Sequence, residues 1–334
     1  MRQIININRD WVFRKDCTQA PQALPADWES INLPHSWNAV DGQDGGGDYF
    51  RGKCCYAKVL NVAQLPAAAK YYLEVKGANS SADVYMDGKL LAHHDGGYST
   101  WRVDITSSLT SESVLAIVVD NAPNDTVYPQ MADFTFYGGL YRDVNLICVA
   151  ESHFDLDYYG GPGIKVTPVV EGDHANVEVE VFVTAQDNHI IRYTLTDAEG
   201  NPVASAQSSS TKAQFTLENV HLWNARKDPY LYTAKAELCN EEAVIDAVST
   251  RFGCRYYEID PEKGFILNGE AYPLRGVSRH QDRWGIGNAL LPEHHKEDME
   301  LICEMGATTI RLAHYQHDQY FYDLCDEYGQ VIWA

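Results

Sequence analysis

The chain has 334 residues, 45% of apolar types and 22% charged. These proportions suit a soluble globular protein of two or three domains and exclude a disordered, collagen-like or coiled-coil chain. Lys and Arg total 26 against 47 Asp and Glu, a formal net charge of −21, which argues against nucleic-acid and membrane-surface roles and leaves neutral partners such as sugars open. No window approaches the ~20 apolar residues of a membrane span. The eight cysteines form no C-x-x-C pair, so free, buried thiols are expected rather than a disulfide scaffold or zinc ribbon. The N-terminus, Met1 to Asp10, lacks the apolar run of a signal peptide. A cytoplasmic location is expected, or a periplasmic one if a leader was removed.

In chain order, residues 1–150 read as many short strands with no helix-period stretch among them. Tyr71–Val75 and Val114–Val119 are β-branched or aromatic runs. Ala82–Met86 leads into Asp87-Gly88, a pair that favours a tight hairpin turn. The expectation is a β-sandwich of jelly-roll type. Tyr159-Gly160-Gly161-Pro162-Gly163 punctuates the chain as a linker. Residues 151–253 read as a second all-β unit, in which Val177, Val179, Val181 and Val183 share one face and Glu178 and Glu180 the other. Length and strand count fit an immunoglobulin-like sandwich, without the Cys…Trp…Cys signature.

From 254 the pattern changes. Phe265–Leu267, the Asn268-Gly269 turn and Tyr272–Val277 predict a hairpin feeding a core strand. A helix opens at Pro292-Glu293 and closes at Gly306, with Met299, Ile302 and Cys303 on one stripe. The strand Thr308–Ala313 follows. Asp318 then caps a second helix striped by Phe321, Leu324, Cys325 and Tyr328 up to Gly329, and Val331–Ala334 is a last strand. This β-α-β-α-β run is the grammar of a parallel sheet covered by helices. It is far shorter than the ~250 residues of a (β/α)8 barrel, and so apolar a last strand would leave an unpaired edge. The expectation is therefore a fragment of a longer protein. Barrel hydrolases carry their chemistry at the C-terminal ends of the strands, where two clusters fall: Arg279-His280-Gln281-Asp282 and His314-Tyr315. Arg311 lies three residues before His314, so strand alternation would send their side chains to opposite sides.

Several segments together resemble glycoside hydrolase family 2, the family of β-galactosidases, β-glucuronidases and β-mannosidases. They are Leu33-Pro34-His35-Ser36-Trp37, Tyr49-Phe50-Arg51-Gly52, Gly77-Ala78-Asn79-Ser80, Tyr137 to Val144, Leu222-Trp223 with Asp228 to Tyr232, and Arg251-Phe252-Gly253. Leu267-Asn268-Gly269, Leu274 to His280, Gly306 to Tyr315 and Leu324 to Gly329 complete the set. The resemblance implies a mainly β chain in three parts: a sugar-binding, galactose-binding-like jelly roll over 1–150, an immunoglobulin-like sandwich over 151–253, and the first β/α units of a truncated TIM barrel over 254–334.

It further implies a retaining hydrolysis by two glutamates, one protonating the leaving oxygen and one attacking the anomeric carbon, about 5–5.5 Å apart. Both would lie beyond Ala334, so no catalytic residue is named in this chain, and the chain alone is expected to be inactive. Carried over as substrate-binding residues are His280 and His314, then Asn79 and Asp133, with Asp282 beside them. A neutral imidazole offers a sugar hydroxyl one donor and one acceptor. The resemblance also allows Asp133 a sodium contact; it implies no required cofactor for the fragment, and magnesium and sodium as candidates in the full-length enzyme. Three positions depart from the family pattern: Ser278 for Asn, Gln281 for Glu, and Gln316 for Pro.

The whole protein is thus expected to remove terminal β-D-galactosides from a neutral β-linked sugar substrate, with no nucleic-acid or membrane partner and a homo-oligomer left open. A β-glucuronidase or β-mannosidase of the same family is the alternative, although no Arg or Lys stands out for a uronate carboxylate. A stand-alone carbohydrate-binding protein is the reading from another class. Metal signals are discounted. Asp41, Asp44 and Asp48 lack the spacing of a calcium loop, the pairs His93-His94 and His294-His295 diverge, and His314 with His317 would hold zinc only if both faced inward.

Overall fold

Strand Glu112–Asp120 shows how the sequence builds the first unit: Val114 to Val119 are all buried, because a continuous apolar run suits a strand covered on both faces. In this computed structural model, which describes residues 1–44, 48–129, 132–185, 189–240 and 243–334, that strand pairs with Lys53–Asn61 on one side and Ser81–Met86 on the other. Glu29–Ile31, Trp11–Arg14 and Lys89–Asp95 complete an antiparallel six-stranded sheet. Gln3–Asn6, Val144–Val149, Lys70–Val75 and Trp101–Asp104 form a second, four-stranded antiparallel sheet. Their core holds Trp11, Tyr56, Leu73, Ile117 and Leu146, with the Trp11 indole donating to the Ile7 carbonyl at 2.6 Å. Asp87 and Gly88 take φ of 51° and 79°, the left-handed conformations that the hairpin signal calls for. This jelly-roll unit comprises Gln3–Val149 together with Gln281–Pro292.

The other compact unit comprises Met1–Arg2, Ala150–His280 and Glu293–Ala334. Its immunoglobulin-like part packs a three-stranded sheet (Ile164–Glu171, His174–Val181, Lys212–Leu217) and a four-stranded one (Pro202–Ser208, Ile190–Thr196, Tyr232–Asn240, Ala243–Phe252) around one core. Strand His174–Val181 alternates half-buried and buried residues along its whole length, the period-2 pattern of a sheet with one face on a core. Asp246 is fully buried, accepting from the Phe154 amide and from Arg2 at 2.9 Å.

The same unit continues through the hairpin at Asn268-Gly269 (φ 51° and 81°) into three parallel strands, Gly276–Arg279, Thr309–Leu312 and Val331–Trp333. Helix α1 (Pro292–Glu304) and helix α2 (Gln319–Tyr328) pack on one face of this sheet, where Met299, Ile310, Leu312, Phe321 and Leu324 form a core. Alternate strand positions Ser278, Arg311 and Trp333 are exposed. Helix α2 carries both expected caps: the Asp318 carboxylate accepts from the Tyr320 amide at 2.9 Å, and Gly329 adopts φ 71°. The Trp223 indole ties the sandwich to α2 by donating to the Asp326 carbonyl at 2.9 Å.

All eight cysteines are free, six of them buried. No helix among the described residues is long and apolar enough to cross a membrane.

Candidate functional site

His280 and His314 stand beyond the C-terminal ends of the first two parallel strands, where the ladder between Gly276–Arg279 and Thr309–Leu312 stops. Their rings meet edge-on with centroids 5.3 Å apart, and Tyr315 lies 5.9 Å from the His280 ring with its hydroxyl 3.5 Å from Nδ1. His280 is half-buried and His314 exposed. Two of the sequence-predicted residues are therefore brought together at the end of the sheet where such folds place their chemistry.

Arg311 corrects one expectation. Its guanidinium lies 2.9 Å from His314 Nδ1, although alternation would separate the two. The strand ends at Leu312, so the period-2 rule stops applying before His314, and the turn folds its ring back over Arg311. A guanidinium has only donors, so His314 Nδ1 must accept. In the neutral ring the proton then sits on Nε2.

Arg279, part of the first cluster in the sequence, turns away from this end of the sheet into the layer between strands and helices. It is 5% exposed and grips Asp298 of α1 through Nε (2.9 Å) and Nη2 (2.7 Å), with its guanidinium 3.9 Å over the Phe321 ring of α2. Burial works against its charge and Asp298 opposes that effect. The same guanidinium reaches His317 Nδ1 and His295 Nδ1, each at 3.2 Å, so both imidazoles accept there and carry their neutral-form proton on Nε2. His317 Nε2 duly faces the Ala313 carbonyl at 3.3 Å. With both His317 nitrogens engaged, the zinc reading of His314 and His317 has no support. No sequence signal marked Asp298, His295 or His317 as partners of Arg279, because they come from a helix and a loop far along the chain.

In the jelly-roll unit, Asn79 and Asp282 meet through Tyr137. Asn79 is 1% exposed, and its amide donates to the Tyr137 carbonyl at 2.6 Å, while its own Oδ1 is buried without a protein partner. The Tyr137 hydroxyl donates to Asp282 at 3.1 Å. Burial, and then the Asp282 charge, push this phenol up to about 12, so it stays a donor at neutral pH. The neighbouring Gly138 is required by close approach, since a Cβ there would fall 1.9 Å from the Trp37 ring. The loop that carries Asp282 is pinned by Arg283 N–H to the Gly287 carbonyl at 2.8 Å and by Gly285 N–H to Gln43 at 2.9 Å. Asp133 is exposed.

Among the described residues no three His, Cys, Asp or Glu side chains gather to hold a metal ion. In the acidic loop, Asp41 is spent on the Asn38 amide at 3.0 Å and the Phe50 backbone N–H at 3.1 Å. Gly45–Gly47 between Asp44 and Asp48 lie outside the described residues. His93 and His94 diverge as expected, His93 to Asp83 at 2.6 Å and His94 onto the Trp101 ring at 4.8 Å.

Three consecutive family models match the chain: glycosyl hydrolase 2 galactose-binding domain-like over residues 50–153, glycosyl hydrolases family 2 over 162–255, and the family 2 TIM barrel domain over 258–334. The chain belongs to glycosyl hydrolase family 2. It is 37% identical to a β-glucuronidase of Bacteroides fragilis, over 100% of this chain and 49% of that protein. Among solved structures it is similar to an FMN-binding β-glucuronidase from Facaelibacterium prausnitzii L2-6 (45% identity, TM-score 0.93, covering 100% of this chain and 52% of that one). A putative β-galactosidase from Bacteroides fragilis matches at 35% identity and TM-score 0.93, over 99% and 53%. The chain thus spans about half the length of the relatives it matches.

Proposed function

We propose that the whole protein is a retaining β-glycosidase and that its substrate is a β-D-glucuronide. The order of the two leading activities expected from sequence is reversed. Relatives matched along the whole of this chain at 37% and 45% identity bear the name β-glucuronidase, whereas a curated β-galactosidase matches at 30%. The observation that carries the enzymatic reading is the His280–His314 pair at the strand ends. In the reaction this chain's part is to hold the sugar. His314, with Nδ1 occupied by Arg311, offers Nε2–H to a ring hydroxyl, and His280 offers its imidazole beside it. Two glutamates outside this chain would act as acid and nucleophile, at the ~5–5.5 Å separation of retaining enzymes.

β-Galactosidase is the second reading, supported by the 35% identical Bacteroides fragilis structure. The test is a comparison of kcat/KM for nitrophenyl β-D-glucuronide and β-D-galactoside with the full-length protein. A glucuronide preference of about tenfold or more, or ~1.4 kcal/mol, is expected. The opposite preference restores the galactosidase reading, and turnover of neither overturns the glycosidase assignment.

A further inference from the structure

Strand Lys53–Asn61 of the jelly-roll unit carries two adjacent cysteines, and alternation sends them to opposite faces of the sheet. Cys54 lies with Tyr56 in the apolar core. Cys55 is buried as completely, but on the other face, under the segment that follows strand Trp11–Arg14. The ladder between the two strands places Arg14 opposite Cys55. The chain then turns at Asp16, whose φ is 52°, and comes back so that the Cys17 amide donates to the Lys53 carbonyl at 2.9 Å.

This turn brings two thiols onto one acceptor. Cys55 Sγ donates to the Cys17 carbonyl at 3.0 Å and to the Gln19 carbonyl at 3.6 Å, and Cys17 Sγ donates to the same Gln19 carbonyl at 3.5 Å. An S–H group is a weak donor, so these bonds gather the sulfurs without fixing either side chain. The two differ in access: Cys17 is half-buried and Cys55 is sealed from water. A reachable thiol beside a protected one is the arrangement in which the first meets an oxidant and the second resolves the adduct. The other half-buried thiol, Cys303, faces instead the Met299 thioether at 3.9 Å, a sulfur that cannot form a disulfide.

We propose that Cys17 and Cys55 form a reversible modification site for low-molecular-weight disulfides of the glutathione class. The Cys17 thiolate attacks one sulfur of the small disulfide, whose S–S bond breaks; one small thiol departs and Cys17 is left as a mixed disulfide. The Cys55 thiolate then attacks Cys17 Sγ and expels the second small thiol, closing a Cys17–Cys55 bond. Two protein thiols are oxidised and one small disulfide is reduced, and the two protein protons pass through water to the two departing thiolates. Burial first, then the neighbouring Cys17, push the Cys55 thiol up, with Arg14 opposing them. The second step is therefore the slow one, and it quickens as the pH rises. The site uses none of the histidine-pair residues, so it stands whether or not the proposed hydrolysis does.

The experiment incubates the native 334-residue chain with oxidised glutathione, blocks the remaining thiols with iodoacetamide and maps unreduced tryptic peptides by mass. A peptide pair joined through Cys17 and Cys55 should grow as the Cys17 mixed disulfide decays, several times faster at about pH 9 than at about pH 7, and dithiothreitol should reverse it. Cys55→Ser should stop at the mixed disulfide and Cys17→Ser should abolish both species, while Cys54→Ala and Cys303→Ser keep the link. Should Cys54→Ala lose its folded circular dichroism, fragmentation of the joined peptide between Cys54 and Cys55 assigns the bond. The proposal is overturned if Cys17 stays unmodified, if its mixed disulfide persists beside an intact Cys55, if the link runs to Cys54, or if closing is no faster at the higher pH. A link that forms only in urea would overturn it too, since it would then belong to the unfolded chain.

Discussion

The Tyr137 hydroxyl donates to the Asp282 carboxylate at 3.1 Å, joining residues 145 apart in sequence. Through the Tyr137 backbone carbonyl the same chain of contacts continues to the buried Asn79 amide, so one residue links two others selected for sugar contact.

Removing that hydroxyl tests the link. Tyr137→Phe is expected to lower unfolding free energy by about 1 kcal/mol, because Asp282 is exposed and water replaces the lost donor. Hydrogen exchange across Arg283–Gly287 should quicken. Unchanged exchange there would mean that the backbone bonds alone fix the loop.

Arg279 offers a sharper test. Asp298→Ala leaves a buried guanidinium without its carboxylate, a loss of roughly 3 kcal/mol once the partial exposure of Asp298 is allowed for. Arg279→Lys should also destabilise, since an ammonium cannot reproduce a fork that touches Asp298, His295 and His317 together. Denaturant midpoints of both variants close to the parent would refute this account.

On the proposed function, His314→Ala in the full-length enzyme should cut kcat/KM on the order of 10²-fold, the scale for loss of one preorganised donor. His314→Gln, which restores an N–H, should recover part of it. Arg311→Leu removes the donor that fixes His314 Nδ1 and should lower kcat/KM as well, whereas an unchanged kcat/KM would show that Arg311 does not position the ring.

His35 makes stability depend on acidity. Its ring accepts a proton near 4 in the folded protein against 6.5 when unfolded, so between those values the unfolded chain holds more protons. Stability contributed by the neutral ring is complete above pH 6.5 and falls as the pH drops towards 4, by up to about 3 kcal/mol. Urea titrations at pH 7 and pH 4.5 should show a smaller difference for His35→Gln than for the parent. An equal difference would locate the acid lability elsewhere.

What the sequence revealed follows what each signal depends on. The Asn268-Gly269 and Asp87-Gly88 turns, the Asp318 and Gly329 caps and the valine alternation of residues 177–181 are local, and each appears where its residues dictate. The pairing of His280 with His314 was readable because parallel strands place their ends together. The Arg279 cluster was not, since its partners lie 19, 16 and 38 residues away and nothing in their spacing announces a shared centre. Arg311 misled for a different reason: the strand's alternation was extended past the point where the strand stops.

The sulfur inventory has a practical corollary. Burial pushes Cys54 and Cys325 up to about 12 and Cys254 to about 11, leaving almost no thiolate at neutral pH, and the thiolate is the reactive form. Iodoacetamide should therefore alkylate the native chain at Cys17 and Cys303, the two half-buried positions, and reach the others only after denaturation. A mass spectrum could then count open molecules in a preparation, making the silent cysteines a built-in gauge of intactness.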